Sequence, residues 1–227
     1  MPAKKNLLPI LYEDDWMMAI NKPPYVGSVP SPTIPVSKSI SGRLTKKYAE
    51  TELSPFLLHR LDRDTSGVLL VGKHKKDRAE LEAILRDEKT KKTYLVLVKG
   101  RPRGSSITNR IPSRTTGEPI PATTKYKVLS TFPGNIFSLV EATIETGRRH
   151  QIRRHFSMIG HPVILDGQYG DQKLNKQFRM RLRLSRHFLH ARSITFVHPF
   201  TQKEMTIEAP LPPDLKSTIK KIGWPAI

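Results

Sequence analysis

Two short runs limit the folds open to this chain. Residues 67–71 (GVLLV) and 93–98 (TYLVLV) are apolar on both faces and are bounded by glycine or by charge, a pattern that marks buried strands. The second run predicts a central strand covered on both sides. Further strands are expected as hairpins. Residues 8–12 and 16–20 are separated by Glu13, Asp14 and Asp15, and residues 123–132 and 136–146 by Pro133, Gly134 and Asn135. Residues 194–197 and 205–207 flank His198, Pro199 and Phe200 and read as a closing hairpin.

Helical patterns fall between these strands. Residues 74–88 set Ala79, Ala83, Ile84 and Leu85 among charges, which predicts an amphipathic helix. Thr146 is expected to cap a second helix, whose apolar positions Ile152, Phe156 and Ile159 recur at four and three, with Gly160 as its stop. Arg149 and Arg153 would then lie one turn apart on a neighbouring face, with His150 beside them. Residues 28–38, rich in Pro and Ser, predict a surface loop, followed by a weak helix through Lys46, Lys47 and Tyr48. Residues 101–122 predict an extended connection with a short strand near 107–111, and residues 215–222 a terminal helix. Between Lys173 and Arg192 stand seven Lys or Arg and no acid. Leu174, Phe178 and Leu182 have helical spacing there, while 178–184 also alternates, so its secondary structure stays open.

Charge narrows the partner. Against 20 Asp and Glu the chain carries 39 Lys and Arg, a net charge of +19. A globular protein this basic works against a polyanion, with RNA or DNA the leading class. No cysteine is present, which excludes disulfides, thiolate metal sites and thiol nucleophiles. The first residues lack the apolar core of a secretory signal, and no apolar segment approaches the ~20 residues that span a bilayer. A soluble, cytoplasmic protein without a membrane partner is expected.

The chemistry concentrates in residues 58–72, LHRLDRDTSGVLLVG, where Arg60, Asp62 and Arg63 approach the first buried strand through the turn formers Asp64, Thr65, Ser66 and Gly67. Asp beside Arg is ordinarily a solvated ion pair. HRLD followed by TSG, however, resembles the first motif of the RluA-type pseudouridine synthases, in which the Asp of RLD is catalytic, here Asp62. Lys91 or Lys92 with Tyr94 is similar to the second motif, whose Tyr lies against the target base. The stretch TGRRHQIRRH is similar to the third, whose Arg pairs with the catalytic Asp, here Arg153. NKP at 21–23 also matches, although the family usually continues with Gly where Pro24 and Tyr25 stand, and LHARSITFVHPFT resembles the C-terminal pattern.

The resemblance runs from about Leu7 to Leu215. It implies an α+β fold with a mixed, largely antiparallel central sheet flanked by helices, and one catalytic domain over residues 1–227 without a separate N-terminal RNA-binding domain. It also implies isomerisation of uridine to pseudouridine with no cofactor, no nucleotide cofactor and no metal. Asp62, Arg153 and Tyr94 are the expected catalytic residues, and His59, Arg60, Arg63, Lys92, Arg149 and His150 the expected RNA-binding ones. His150, His155 and His161 are not four apart on one helical face and no carboxylate joins them, so they predict no metal site. Residues 170–191 are similar to the tRNA pseudouridine synthase C branch, which favours tRNA on its T-arm side, with ribosomal RNA as runner-up and a monomer as the expected state. Rival readings are a non-catalytic RNA-binding protein of the same fold and a glycosidase or nucleosidase, which would want two convergent carboxylates.

Overall fold

The computed structural model describes residues 8–113 and 115–224. In chain order the elements are β1 (Ile10–Glu13), β2 (Met17–Lys22), α1 (Ile40–Lys47), β3 (Phe56–Leu57), β4 (Ser66–Gly72), α2 (Arg78–Ala83) and β5 (Lys91–Lys99). There follow β6 (Ser106–Ile107), β7 (Ile111–Pro112), β8 (Pro119–Ile120), β9 (Thr124–Thr131), β10 (Phe137–Ile144), α3 (Gln151–Met158), α4 (Gln172–Leu182), β11 (Leu189–Val197), β12 (Glu204–Glu208) and α5 (Pro213–Ile222). The architecture is α+β, and the chain divides into two compact units. One runs through Thr90 and takes in Ser193–Pro210; the other is Lys91–Arg192 with the segment from Leu211 onward.

In the first unit β1 and β2 form the expected hairpin, and β2 pairs antiparallel with β4 from Met17↔Gly72 to Lys22↔Gly67. All seven residues of β4 are buried, as its unbroken apolar run requires. Alternate residues of these strands, Met17, Ala19, Val68 and Leu70, enter a core with Phe56, Leu81, Ile194, Phe196 and Ile207. Gly72 is where Phe56 closes on the strand: a Cβ there would stand 2.3 Å from the Phe56 ring. The closing hairpin is also present, with β12 antiparallel to β11, and its turn is tied to the first hairpin by the buried His198, whose Nε2 lies 3.0 Å from Asp14 Oδ2. The helix expected over 74–88 is shorter. Leu81 is its one buried residue, and beyond it the chain turns, with Thr90 donating its hydroxyl to the Ile84 carbonyl (2.6 Å). Ile84, the residue after its end, is buried in the same core from the turn that follows.

In the second unit β10 stands between β5 and β9, antiparallel to both, and β6 extends β9. Leu95, Leu97, Phe137 and Leu139 pack against Phe178 and Leu182 of α4 and Leu215 and Ile219 of α5. The basic stretch after Lys173 resolves into helix first and strand second. Asp171 caps α4 by accepting from the Leu174 N–H (3.0 Å), and Arg183 at φ 50° ends it before β11 begins. Its charges are not all at the surface: Arg186 is fully buried and donates to Asp214 of α5 (2.7 Å).

Candidate active site

The loop ahead of β4 is held by two buried polar side chains from the segment after β1. Ser28 donates its hydroxyl to the Leu61 carbonyl (2.7 Å) and accepts the Leu61 N–H (2.9 Å), fixing both sides of the residue before Asp62. Lys22, wholly buried, donates its ammonium to the Arg63 carbonyl (3.1 Å) and the Pro23 carbonyl (3.0 Å). Asp62 therefore sits between two clamped peptide groups. Its own carbonyl accepts the Thr65 N–H (3.1 Å), which closes the turn into the strand, and Gly67 supplies a φ of 117° that disfavours any side chain. The carboxylate is half-buried. Between Lys22 and Ser28, Tyr25 has a φ of 65°, a conformation that favours glycine.

The second cluster lies wholly in the other unit, on α3 and the segment after it. Arg153 is 7% exposed, and its Nε and Nη2 donate to the two oxygens of the fully buried Asp166 at 2.7 and 2.9 Å. Burial alone would raise the Asp166 pKa; the hydrogen bonds and charge of Arg153, with the N–H groups of Tyr169 and Gln168, outweigh it and hold the carboxyl below its usual range. The Arg153 guanidinium also lies over the Tyr169 ring, 5.1 Å from its centroid. Tyr169 is placed by Arg154, which donates to its oxygen (3.0 Å), leaving the phenol hydrogen for His150 Nδ1 (3.1 Å).

The remaining polar residues of TGRRHQIRRH anchor the helix. Gln151 Nε2 donates to the Thr123 carbonyl (2.9 Å), while its Oε1 accepts from Thr146 (2.8 Å) and from the Arg148 N–H (3.1 Å). One turn on, His155 Nε2 donates to the Asn109 carbonyl (2.8 Å), so Nδ1 accepts from the Thr124 hydroxyl (2.8 Å). Desolvation lowers the His155 pKa and keeps this ring neutral. Gln151 and His155 thus fasten one face of α3 to β9, and Arg153, two residues from each, leaves on another.

Three comparisons bear on this arrangement. The family model described as "RNA pseudouridylate synthase" matches residues 17–158, a span that contains both clusters' motifs. This chain belongs to the RNA pseudouridylate synthase family. It is an RNA pseudouridine synthase, an isomerase. Among its relatives is "Uncharacterized RNA pseudouridine synthase YjbO" of Bacillus subtilis, 36% identical over 225 residues, covering 94% of this chain and 76% of the relative. Another is "Ribosomal large subunit pseudouridine synthase C" of Haemophilus ducreyi, 36% identical over 228 residues, 94% of this chain and 68% of the relative. The solved structure "Human RNA Pseudouridylate Synthase Domain Containing 1" superposes with a TM-score of 0.71 at 25% identity, covering 93% of this chain and 87% of that one. The RluA-type assignment stands. The leaning towards the tRNA pseudouridine synthase C branch does not, because these relatives with a named target are ribosomal enzymes.

For this synthase several expected positions are revised. Arg149 and Arg153 are not one turn apart, since α3 begins at Gln151 with His150, at φ 53°, as its cap; Thr146 holds Gln151 from outside. Arg60 and Arg149 are exposed. Arg63 is exposed but grips Asp64 through Nε (2.8 Å) and Nη2 (3.0 Å). His59 turns its Nε2 inward to accept the Leu70 N–H (3.1 Å). Lys92, expected to bind RNA, lies inside β5, 7% exposed, and desolvation lowers its pKa. Tyr94, 8% exposed, lies opposite Ala142 in the same strand pair. Lys22 enters the sequence motifs only as part of NKP, and Ser28, Asp166 and Tyr169 carry no expected role. An acid within the LDGQYG turn was the available signal for Asp166, and only the fold supplies its partner.

Proposed function

We propose that this synthase isomerises a uridine of large-subunit ribosomal RNA, with Asp62 as the catalytic carboxylate and Arg153 and Tyr94 as further catalytic residues. The ribosomal target is supported by relatives named as ribosomal large subunit enzymes. Both units contribute to one catalytic domain in this reading, supported by a family match that runs across residues of both. The single observation that carries the role of Asp62 is its setting: a carboxylate held between two peptide groups clamped by Ser28 and Lys22, at the start of a wholly buried strand. A carboxyl group on a rigid loop is what the reaction needs.

The reaction breaks the N1–C1′ bond of uridine, turns the freed uracil while it remains bound, and joins C5 to C1′. The C5 proton is then lost and N1 regains one, so atoms and electrons balance without a co-reactant. Asp62 attacks covalently or stabilises the positive charge that develops at the sugar carbon. Asp166 and Tyr169 keep Arg153 in one orientation. The uridine must leave its stack for either group to reach it. Asp62→Asn is expected to abolish pseudouridine formation, read by carbodiimide labelling of ribosomal RNA, with RNA affinity and melting temperature near wild type. Substantial residual turnover removes Asp62 from the mechanism and favours a non-catalytic RNA-binding role.

A further inference from the structure

Between β5 and β6 the chain turns at Gly100 (φ 70°) and again at Gly104 (φ 93°), and Arg101, Pro102 and Arg103 lie between. Pro102 is buried while both arginines are exposed, so the alternation sends both guanidinium groups to the solvent side. The backbone beneath them is fixed. His161 Nδ1 donates to the Lys99 carbonyl (2.8 Å), and the Gly100 position has no room for a side chain, since a Cβ would meet that ring at 3.0 Å. At the other end the Tyr126 hydroxyl donates to the Arg103 carbonyl, and the Tyr126 N–H to the Ser105 carbonyl (2.7 Å).

Two cavities of about 660 and 370 Å³ share Arg101, Arg103 and Tyr126 as walls. Lys127 joins the larger and His161 the smaller, and no acid lines either. Some exposed arginines hold carboxylates, as Arg63 holds Asp64 and Arg78 holds Glu82. Among the described residues, Arg101 and Arg103 have no ion pair or side-chain hydrogen bond. Two unneutralised guanidinium groups, spaced alternately on a rigid segment above a cleft with basic walls, suit a polyanion with repeating charge. They do not suit an apolar ligand.

We propose that the Arg101–Arg103 cleft binds the sugar-phosphate backbone of the RNA substrate, at a site built from none of the residues assigned to the reaction. The inference rests on the RNA reading and assigns that RNA a second anchoring surface. Its energetic signature is salt dependence, because each phosphate neutralised releases counterions and contributes about 0.7 to 0.9 to the slope of log affinity against log salt. The test is fluorescence anisotropy with a short labelled hairpin RNA over a salt series, for wild type, R101A/R103A, R101K/R103K and D62N. Two lost contacts are expected to reduce the slope by about 1.4 to 1.8 and to weaken binding at low salt. The lysine pair should largely retain the slope, and D62N should bind as wild type does. An unaltered slope in R101A/R103A, with the other variants behaving as stated, overturns this site and leaves the RNA reading intact. Displacement of the hairpin by inorganic phosphate from wild type alone also overturns it, in favour of a small-anion site. A wild type that binds no hairpin RNA sinks both.

Discussion

Asp166→Ala is the substitution with the largest consequence outside the loop of Asp62. The side chain is fully buried and accepts two hydrogen bonds from Arg153 and one each from the N–H groups of Gln168 and Tyr169. Removing it leaves a guanidinium that is 7% exposed without its carboxylate, and breaking one partner of such a pair costs about 3–5 kcal/mol. For a chain of this size that is a fall in melting temperature of roughly 6–20 °C. Asp166→Asn keeps an acceptor for the two N–H groups and loses the charge, so its cost should be smaller, about 1.5–3 kcal/mol. The paired change Arg153→Met with Asp166→Leu removes both charges together and should return most of the stability, because apolar replacement of a buried pair is often near neutral. It should not return activity. Thermal unfolding and pseudouridine mapping on the four proteins separate the two effects. The sign with pH follows from the depressed Asp166 pKa: its contribution is whole above the unfolded value of about 3.9 and is lost as pH falls through the lower folded value. Stability of Asp166→Asn should therefore fall less than wild type over that acidic range. A loss below about 1 kcal/mol in Asp166→Ala, or a paired variant no more stable than Asp166→Ala, would refute the reasoning.

Two further outcomes are open to the same assays. Lys22→Met removes the ammonium that holds the Arg63 and Pro23 carbonyls; turnover should fall about tenfold or more with little change in RNA affinity, the mark of a misplaced catalytic loop, and normal turnover would remove Lys22 from its positioning role. Gly72→Ala should destabilise by about 1–3 kcal/mol, since its Cβ meets Phe56 at 2.3 Å and Leu81 at 3.0 Å, and an unchanged melting temperature would mean that the Phe56 ring yields without cost.

The fold was legible wherever a short segment carried its own instructions. β4 and β5 announced themselves as apolar runs, and the first, middle and closing hairpins by their turn residues. Gly160 ended α3 as expected, at φ 77°. Length was less legible. Residues 74–88 have helical periodicity along fifteen positions, but α2 ends at Ala83 and Ile84 reaches the core from the turn that follows. The ambiguous stretch after Lys173 contained both a helix and the approach to a strand, and the core made by Leu95, Leu97 and α5 decided for the helix through Leu182.

By itself, the sequence determined the order of elements, the basic character and the motifs that name the family, because each depends on neighbours within a turn or a strand. The tertiary structure alone decided which charges are buried and what they hold. Arg153 is matched to an acid 13 positions on, Lys22 to a carbonyl 41 positions on and Arg186 to an acid 28 positions on, while Lys92 lies within a strand. No local pattern carries that information, since a charged group is stable out of water only where distant segments bring it a partner, and periodicity records only which face is turned inward.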